Sequence, residues 1–211
     1  MKKNYNENKI YQYSDVIRIK YSKSELDNMS KTDLIHLLYE NSKAFSYFNE
    51  DSRLHFSEIK EMNIYKIKNK IKKKYFSNKE RSKLLKEFIN VISFFRNSYS
   101  YINDYNTYSD NNTVDSVNSI YLAFKYCGKK IRKKKIKKMD RMKLINKLLT
   151  ISWGMSFLTE GAIFELNDEY LNSLSNRELI RYLEHYNSNK MRAKVLDYID
   201  IIINFLYENR Y

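Results

Sequence analysis

The stretch "SLSNRELIRYL", Ser173 to Leu183, decides the fold class. Ser175 with Glu178 three residues on is a capping box: the hydroxyl takes an N-terminal amide while the carboxylate reaches back. Leu174 ahead of the cap and Leu179 behind it form a hydrophobic staple, and Leu179, Ile180 and Leu183 follow at helical spacing. The same device stands earlier in "NMSKTDLIHLL", Asn28 to Leu38, with Asp33 in place of the glutamate. There Ser30 caps a helix predicted to run to about Phe48, burying Leu34, Ile35, Leu38 and Phe45. Leu26, Met29, Ser30, Leu34, Ile35 and Leu38 align with Leu171, Leu174, Ser175, Leu179, Ile180 and Leu183. Shared capping chemistry explains this likeness as readily as duplication does. The match between "LDNM" and "LNSL" ahead of the caps favours two related helical units, about 25–102 and 114–211.

Outward from these stretches the pattern stays helical. A second helix is expected from Asp51 or Ser52 to Phe76, because Ile64, Ile67, Ile71 and Tyr75 recur at helical spacing. "SNKE", Ser77 to Glu80, opens a third through "LLKEFINVISFFRNSYSYI". The polar run Asn103 to Thr113 reads as a midpoint loop. Asn112 or Thr113 then caps "VDSVNSIYLAFKYC", with Gly128 placed as a C′ glycine. The most apolar segment, "LINKLLTISWGMSFLTEGAIF", should be a central helix buried nearly all round through Leu144, Leu148, Ile151, Trp153, Met155, Phe157, Leu158 and Phe164. Gly154 within it implies close approach of another backbone, or a kink. Short helices near Asn167 and after Ser175, and a last helix from Asn189 to Tyr207, complete the chain. No alternating strand pattern occurs, so the expectation is one all-α, compact multi-helix domain over 25–211 behind a flexible polar arm, 1–24.

Composition sets the chemistry. The chain has 211 residues, no proline, three glycines and one cysteine. Average usage would give about ten prolines and about fifteen glycines. An AT-rich coding bias accounts for part of this and for the abundance of Lys, Asn, Ile and Tyr. It does not explain 39 basic residues against 25 acidic ones, a net charge of +14 that suits an anionic partner. Cys127 alone allows no internal disulfide and reads as a buried apolar residue. "MKKNYNENKIYQYSDVIRIKYSKS" has no continuous apolar core of a signal peptide, and "YIDIIINFLY" is too short to span a bilayer. The expectation is a cytoplasmic protein without membrane insertion.

No catalytic, cofactor or metal constellation is legible. His36, His55 and His185 lie far apart, no HExxH or Cys/His spacing occurs, and there is no glycine-rich phosphate loop. The positive signal is charge. From Lys129 to Lys138 only Ile131 and Ile136 interrupt Lys129, Lys130, Arg132, Lys133, Lys134, Lys135, Lys137 and Lys138, a density suited to phosphates. A second basic face, Lys66, Lys68, Lys70, Lys72, Lys73 and Lys74, is interleaved with Tyr65, Tyr75 and Phe76, rings suited to stacking on unpaired bases.

The run "FELNDEYLNSLSNRELIRYLEHYN", and more loosely "DLIHLLYENSKAFSYF", resembles the gamete antigen 27/25 family of malaria parasites. The resemblance implies an all-helical, internally duplicated, homodimeric, cytoplasmic RNA-binding protein of the sexual (gametocyte) stage, with no catalytic residues. The family's best-known member is credited with proline motifs for SH3-type partners. With no proline here, that partner class is not carried over. "ISWGMSF" is similar instead to the Asn-Trp-Gly segment of Bcl-2-like proteins, but Ser152 precedes Trp153 and Met155 stands where those proteins place an Arg. The functional expectation is therefore a non-enzymatic, homodimeric protein binding single-stranded RNA with weak sequence preference. The alternatives are a Bcl-2-like module that binds an amphipathic helix and a structural or scaffolding oligomer.

Overall fold

A computed structural model describes residues 5–49, 53–103 and 111–208. Every regular element among them is helical, as expected. The first half holds α1 (Glu7–Arg18), α2 (Lys23–Asn28), α3 (Lys31–Asn49), α4 (Phe56–Lys60), α5 (Ile64–Lys70) and α6 (Asn78–Asn103). α5 continues into a π-helical turn, Ile71–Tyr75. The second half holds α7 (Asn111–Gly128), α8 (Lys133–Ile136), α9 (Arg141–Leu158), α10 (Asp168–Ser173), α11 (Asn176–Tyr186) and α12 (Asn189–Lys194). A 3-10 turn, Val195–Tyr198, joins α12 to α13 (Ile199–Glu208).

A looser form of the device read from the sequence, a side-chain cap behind a buried anchor, occurs four times, and at Ser30 and Ser175 it includes the acid at N3. In each case a short helix buries one apolar side chain, Leu26, Ile59, Ile136 or Leu171. A half-buried Met29, Met62, Met139 or Leu174 follows, and then an N-cap residue opens the next helix. The caps take the N3 amide: Asp33 N donates to Ser30 Oγ at 3.2 Å, Lys66 N to Asn63 Oδ1 at 2.9 Å, Lys143 N to Asp140 Oδ1 at 2.9 Å and Glu178 N to Ser175 Oγ at 3.3 Å. Satisfying an orphan amide next to a buried anchor fixes the turn between a short helix and its successor. Capping chemistry is sufficient to produce each recurrence.

α6 packs on α7, α7 on α9, α9 on α11, and α12 returns to α6. Across the two halves Phe88 of α6 sits between Phe48 of α3, with ring centroids 4.8 Å apart, and Phe124 of α7, 6.1 Å away. Where α7 meets α9, a Cβ on Gly154 would lie 2.9 Å from the Ala123 carbonyl oxygen, so of the two readings of that glycine, close backbone approach or a kink, the structure has the close approach.

Several expectations are corrected. Residues 7–18 are not a loose arm: Asn6 caps α1, whose Ile10, Ser14 and Ile17 are buried, and the helix lies against α3 and α13. The single helix expected up to Phe76 is divided, because Asn63 is a cap and Ile64, counted as core, is exposed just behind it. Asp51 and Ser52, its expected start, lie outside the described residues, as do 104–110 of the midpoint loop. Asn112 and Thr113 are inside α7, which starts at Asn111. Gly128 closes α7 without a left-handed backbone; its missing side chain makes room for Ile89, whose Cδ1 would be 2.6 Å from a Cβ. α9 stops at Leu158, so Phe164 falls beyond it and is 72 % exposed, and Phe157 is exposed as well. The last helix is interrupted by the 3-10 turn at Val195–Tyr198.

Candidate nucleic-acid interface

The basic segment after α7 is not a long helix. Lys129 to Arg132 form a loop, α8 is a single turn, and Lys137 closes it. The two residues that interrupt the charge run hold the segment down. Ile136 is buried, and Ile131 is clipped by the side chain of buried Asn187, which donates from Nδ2 to Ile131 O at 2.7 Å and accepts from Ile131 N at 2.8 Å. Met139 packs behind them. With the anchors pointing inward, Lys129, Lys130, Arg132, Lys133, Lys134, Lys135, Lys137 and Lys138 are all exposed. None of the eight forms an ion pair with a carboxylate among the described residues. A fixed backbone that presents unneutralised cations loses less entropy on meeting a polyanion than a floppy tail would.

The second basic face fares differently. Lys68 is paired with Asp27 at 3.0 Å, and that contact with Lys68 holds the Asp27 carboxyl below its ordinary range, with Lys72 and Lys23 adding to it. Lys66 and Lys73 are exposed, whereas Lys70, Lys72 and Lys74 are half-buried, and the Lys74 ammonium lies over the Tyr75 ring. The three rings separate. Tyr75 is 1 % exposed and packs edge-on against Phe45, so it cannot stack on a base, contrary to the expectation. Phe76 is half-buried and stacked on Tyr21 at 6.3 Å. Only Tyr65, 76 % exposed, offers a free ring face.

The fold adds cations that the linear charge runs did not reveal. Lys147 of α9 adds to the positive charge near the basic segment: its own burial, followed by the nearby charges of Lys135 and Lys129, pulls its pKa down. Lys130 is lowered in the same way by burial, Arg192 and Lys133. Across from Lys129 and Lys130, α6 presents Lys79, Lys83 and Lys86, and between them lies a cleft of about 560 Å³ with Arg192 in its lining. The spacing of Lys79, Lys83 and Lys86 puts them on one helix face, a signal present in the sequence but diluted by its many lysines. Arg192 carried no such signal, since its role depends on α12 folding back onto α6.

Cys127 is buried, and desolvation pushes its thiol up to about 12, which makes it inert at neutral pH. Among the described residues no group of three or more His, Cys, Asp or Glu side chains is placed to hold a metal ion, and no helix is long and apolar enough to cross a membrane. No protein-family model matches the chain, and no curated protein or solved structure does so either.

Proposed function

We propose that this chain is a non-enzymatic RNA-binding protein that holds single-stranded RNA along the basic segment Lys129 to Lys138. The observation that carries the reading is the pinned array of eight cations, none of which forms an ion pair among the described residues, held by Ile131, Asn187 and Ile136. Such a surface reads phosphate spacing and charge rather than base edges, so binding is weakly sequence-specific and steeply salt-dependent. Homodimeric assembly, a cytoplasmic site of action and a role in the gametocyte stage belong to the same proposal and rest on the family resemblance of the "FELNDEYLNSLSNRELIRYLEHYN" run.

The helix-binding alternative draws on a shallow apolar depression of about 210 Å³ that includes Ile120, Phe157, Leu158, Ile201 and Phe205. Against it, Met155 is fully buried at the position where Bcl-2-like proteins place their ligand-pairing Arg.

The test is binding of a labelled single-stranded RNA at several salt concentrations, comparing the wild type with the Lys133→Gln/Lys134→Gln/Lys135→Gln variant. Loss of three phosphate contacts on a single strand should flatten the slope of log K against log salt by about 2. An unchanged slope and affinity would remove this segment from the contact surface.

A further inference from the structure

The cleft between α6, the end of α7 and α12 has a chemistry of its own. Lys79, Lys83 and Lys86 line one side, Lys129 and Lys130 the other, and Arg192 contributes to its lining. Glu87 is the single carboxylate in the lining among the described residues. Lys83 is partly neutralised by Glu80 at 2.6 Å; the other lysines of the cleft form no ion pair among the described residues.

Arg192 is 3 % exposed. Its Nη atoms donate to the carbonyls of Cys127 and Gly128, and to Ser82 O at 3.1 Å. The bonds to Cys127 and Gly128 cap the C-terminus of α7, and the bond to Ser82 O reaches α6. Among the described residues they leave its full charge without a counter-anion, and Nε without a hydrogen-bond partner. Asn189 joins the two walls, accepting from Ser82 Oγ at 3.1 Å and from Lys130 Nζ. A buried cation ringed by further cations is electrostatically expensive unless an anion joins it.

We propose that this cleft binds the terminal phosphate of a nucleotide, the phosphorylated end of an RNA strand or a free nucleoside polyphosphate, and so anchors a strand by its end. The inference that the occupant is a strand rests on the proposed function; the cleft itself does not. A backbone phosphodiester carries one charge, whereas a terminal monoester carries about −1.5 to −2 at neutral pH and has three acceptor oxygens. A site with this excess of cations discriminates in favour of the latter. Its volume of about 560 Å³ accommodates a nucleotide, not just a lone phosphate group. Lys129 and Lys130 belong both to the cleft and to the segment Lys129 to Lys138, so an anchored strand passes directly onto the exposed cations.

The test uses internally labelled RNA 12-mers of one sequence bearing two hydroxyl ends, a 5′-phosphate, a 5′-triphosphate or a 3′-phosphate, with ATP and inorganic tripolyphosphate as competitors. A phosphorylated end should bind about tenfold tighter than hydroxyl ends, as expected for an added charge-assisted contact. That ratio should fall to about one in Lys79→Gln/Lys86→Gln and persist in Lys133→Gln/Lys134→Gln/Lys135→Gln, since the determinants differ. Both variants change exposed side chains, so neither depends on Arg192, whose loss would threaten the fold. Equal binding of all four ends, or a preference that survives Lys79→Gln/Lys86→Gln, overturns the cleft and leaves the RNA reading standing. Binding of ATP and tripolyphosphate, lost in Lys79→Gln/Lys86→Gln, with no binding of hydroxyl-ended RNA, supports the cleft as a free-nucleotide site and overturns the strand reading. No binding of any probe overturns both.

Discussion

Arg81 and Asp197 join the two ends of the chain's core: the buried guanidinium of Arg81, on α6, meets the Asp197 carboxylate of the 3-10 turn at 3.1 Å while also donating to Ile17 O at the end of α1. Burial lowers the Arg81 pKa and Asp197 works against that shift, so the carboxylate is what keeps the charge tolerable. Lys20 reaches the same Asp197 oxygen at 2.7 Å from the solvent side. Asp197→Asn leaves Arg81 buried without its countercharge. Since Asp197 is partly exposed, the expected cost is about 2 kcal/mol, below the range for a fully buried pair. Lys20→Ala removes an exposed partner and should cost less than about 1 kcal/mol. Urea unfolding of the two variants checks this ranking, and equal losses would show that Arg81 does not need the carboxylate.

Gly154 gives a prediction with an inverted sign. In an exposed helix Gly→Ala gains about 1 kcal/mol from propensity. Here the added Cβ would stand 2.9 Å from Ala123 O and 3.3 Å from Ala123 Cα, backbone atoms that cannot rotate away. Gly154→Ala should therefore destabilise by about 1–3 kcal/mol as α7 and α9 are pushed apart. Gly128→Ala meets mainly the end of the Ile89 side chain, which can move, and should cost less. Thermal unfolding distinguishes them; a stabilised Gly154→Ala protein would contradict the close α7–α9 contact.

These contacts mark how far the sequence could be read. The all-α class, α3, α10, α11 and the close approach at Gly154 were legible because capping boxes, staples and an isolated glycine are local signals. Asn63 and Asp140 were harder to see as caps, since neither has an acid at N3 to complete a box. α1 was hidden because its buried face, Ile10, Ser14 and Ile17, is thin against polar neighbours, and it is held by α3 and α13 from elsewhere in the chain. For the candidate site, the charge run was visible, but the role of Ile131 as a clipped anchor depends on Asn187 in a distant element. The cleft required α6 and α12 to meet, which no local pattern encodes.

The capping boxes predict a response to acid. Hydrogen bonding to Ser22 holds Glu25 below the usual carboxylate range, and bonding to Ser175 does the same for Glu178. A carboxylate whose folded pKa lies below its unfolded value contributes stability above the unfolded pKa, and that contribution is lost as pH falls through the folded pKa. The N-termini of α2 and α11 should therefore loosen only in acid below the ordinary glutamate range, with no change near neutrality. NMR titration of the Glu25 and Glu178 carboxyls checks the direction. Glu178→Gln should weaken the acid dependence of unfolding; an unaltered profile would mean that the box at Ser175 contributes nothing.

Tyr65 and Tyr75 separate stability from binding on one short helical stretch. Tyr75 is enclosed against Phe45, so Tyr75→Ala removes a large buried ring and should cost about 3–5 kcal/mol of stability. Tyr65 leaves most of its ring in solvent, and Tyr65→Ala should leave the unfolding transition where it is. If an RNA strand held at Lys129 to Lys138 also reaches α5, the Tyr65 ring stacks on a base, and Tyr65→Ala should weaken binding by about 1–3 kcal/mol at fixed salt. The salt slope should not change, because stacking releases no counterions. Titration of one labelled single-stranded RNA against the wild type and Tyr65→Ala reads both quantities. A loss of affinity with an unchanged slope places the strand across α5. Identical affinity confines it to the segment around α8 and makes the lysines of the second basic face a solvated surface.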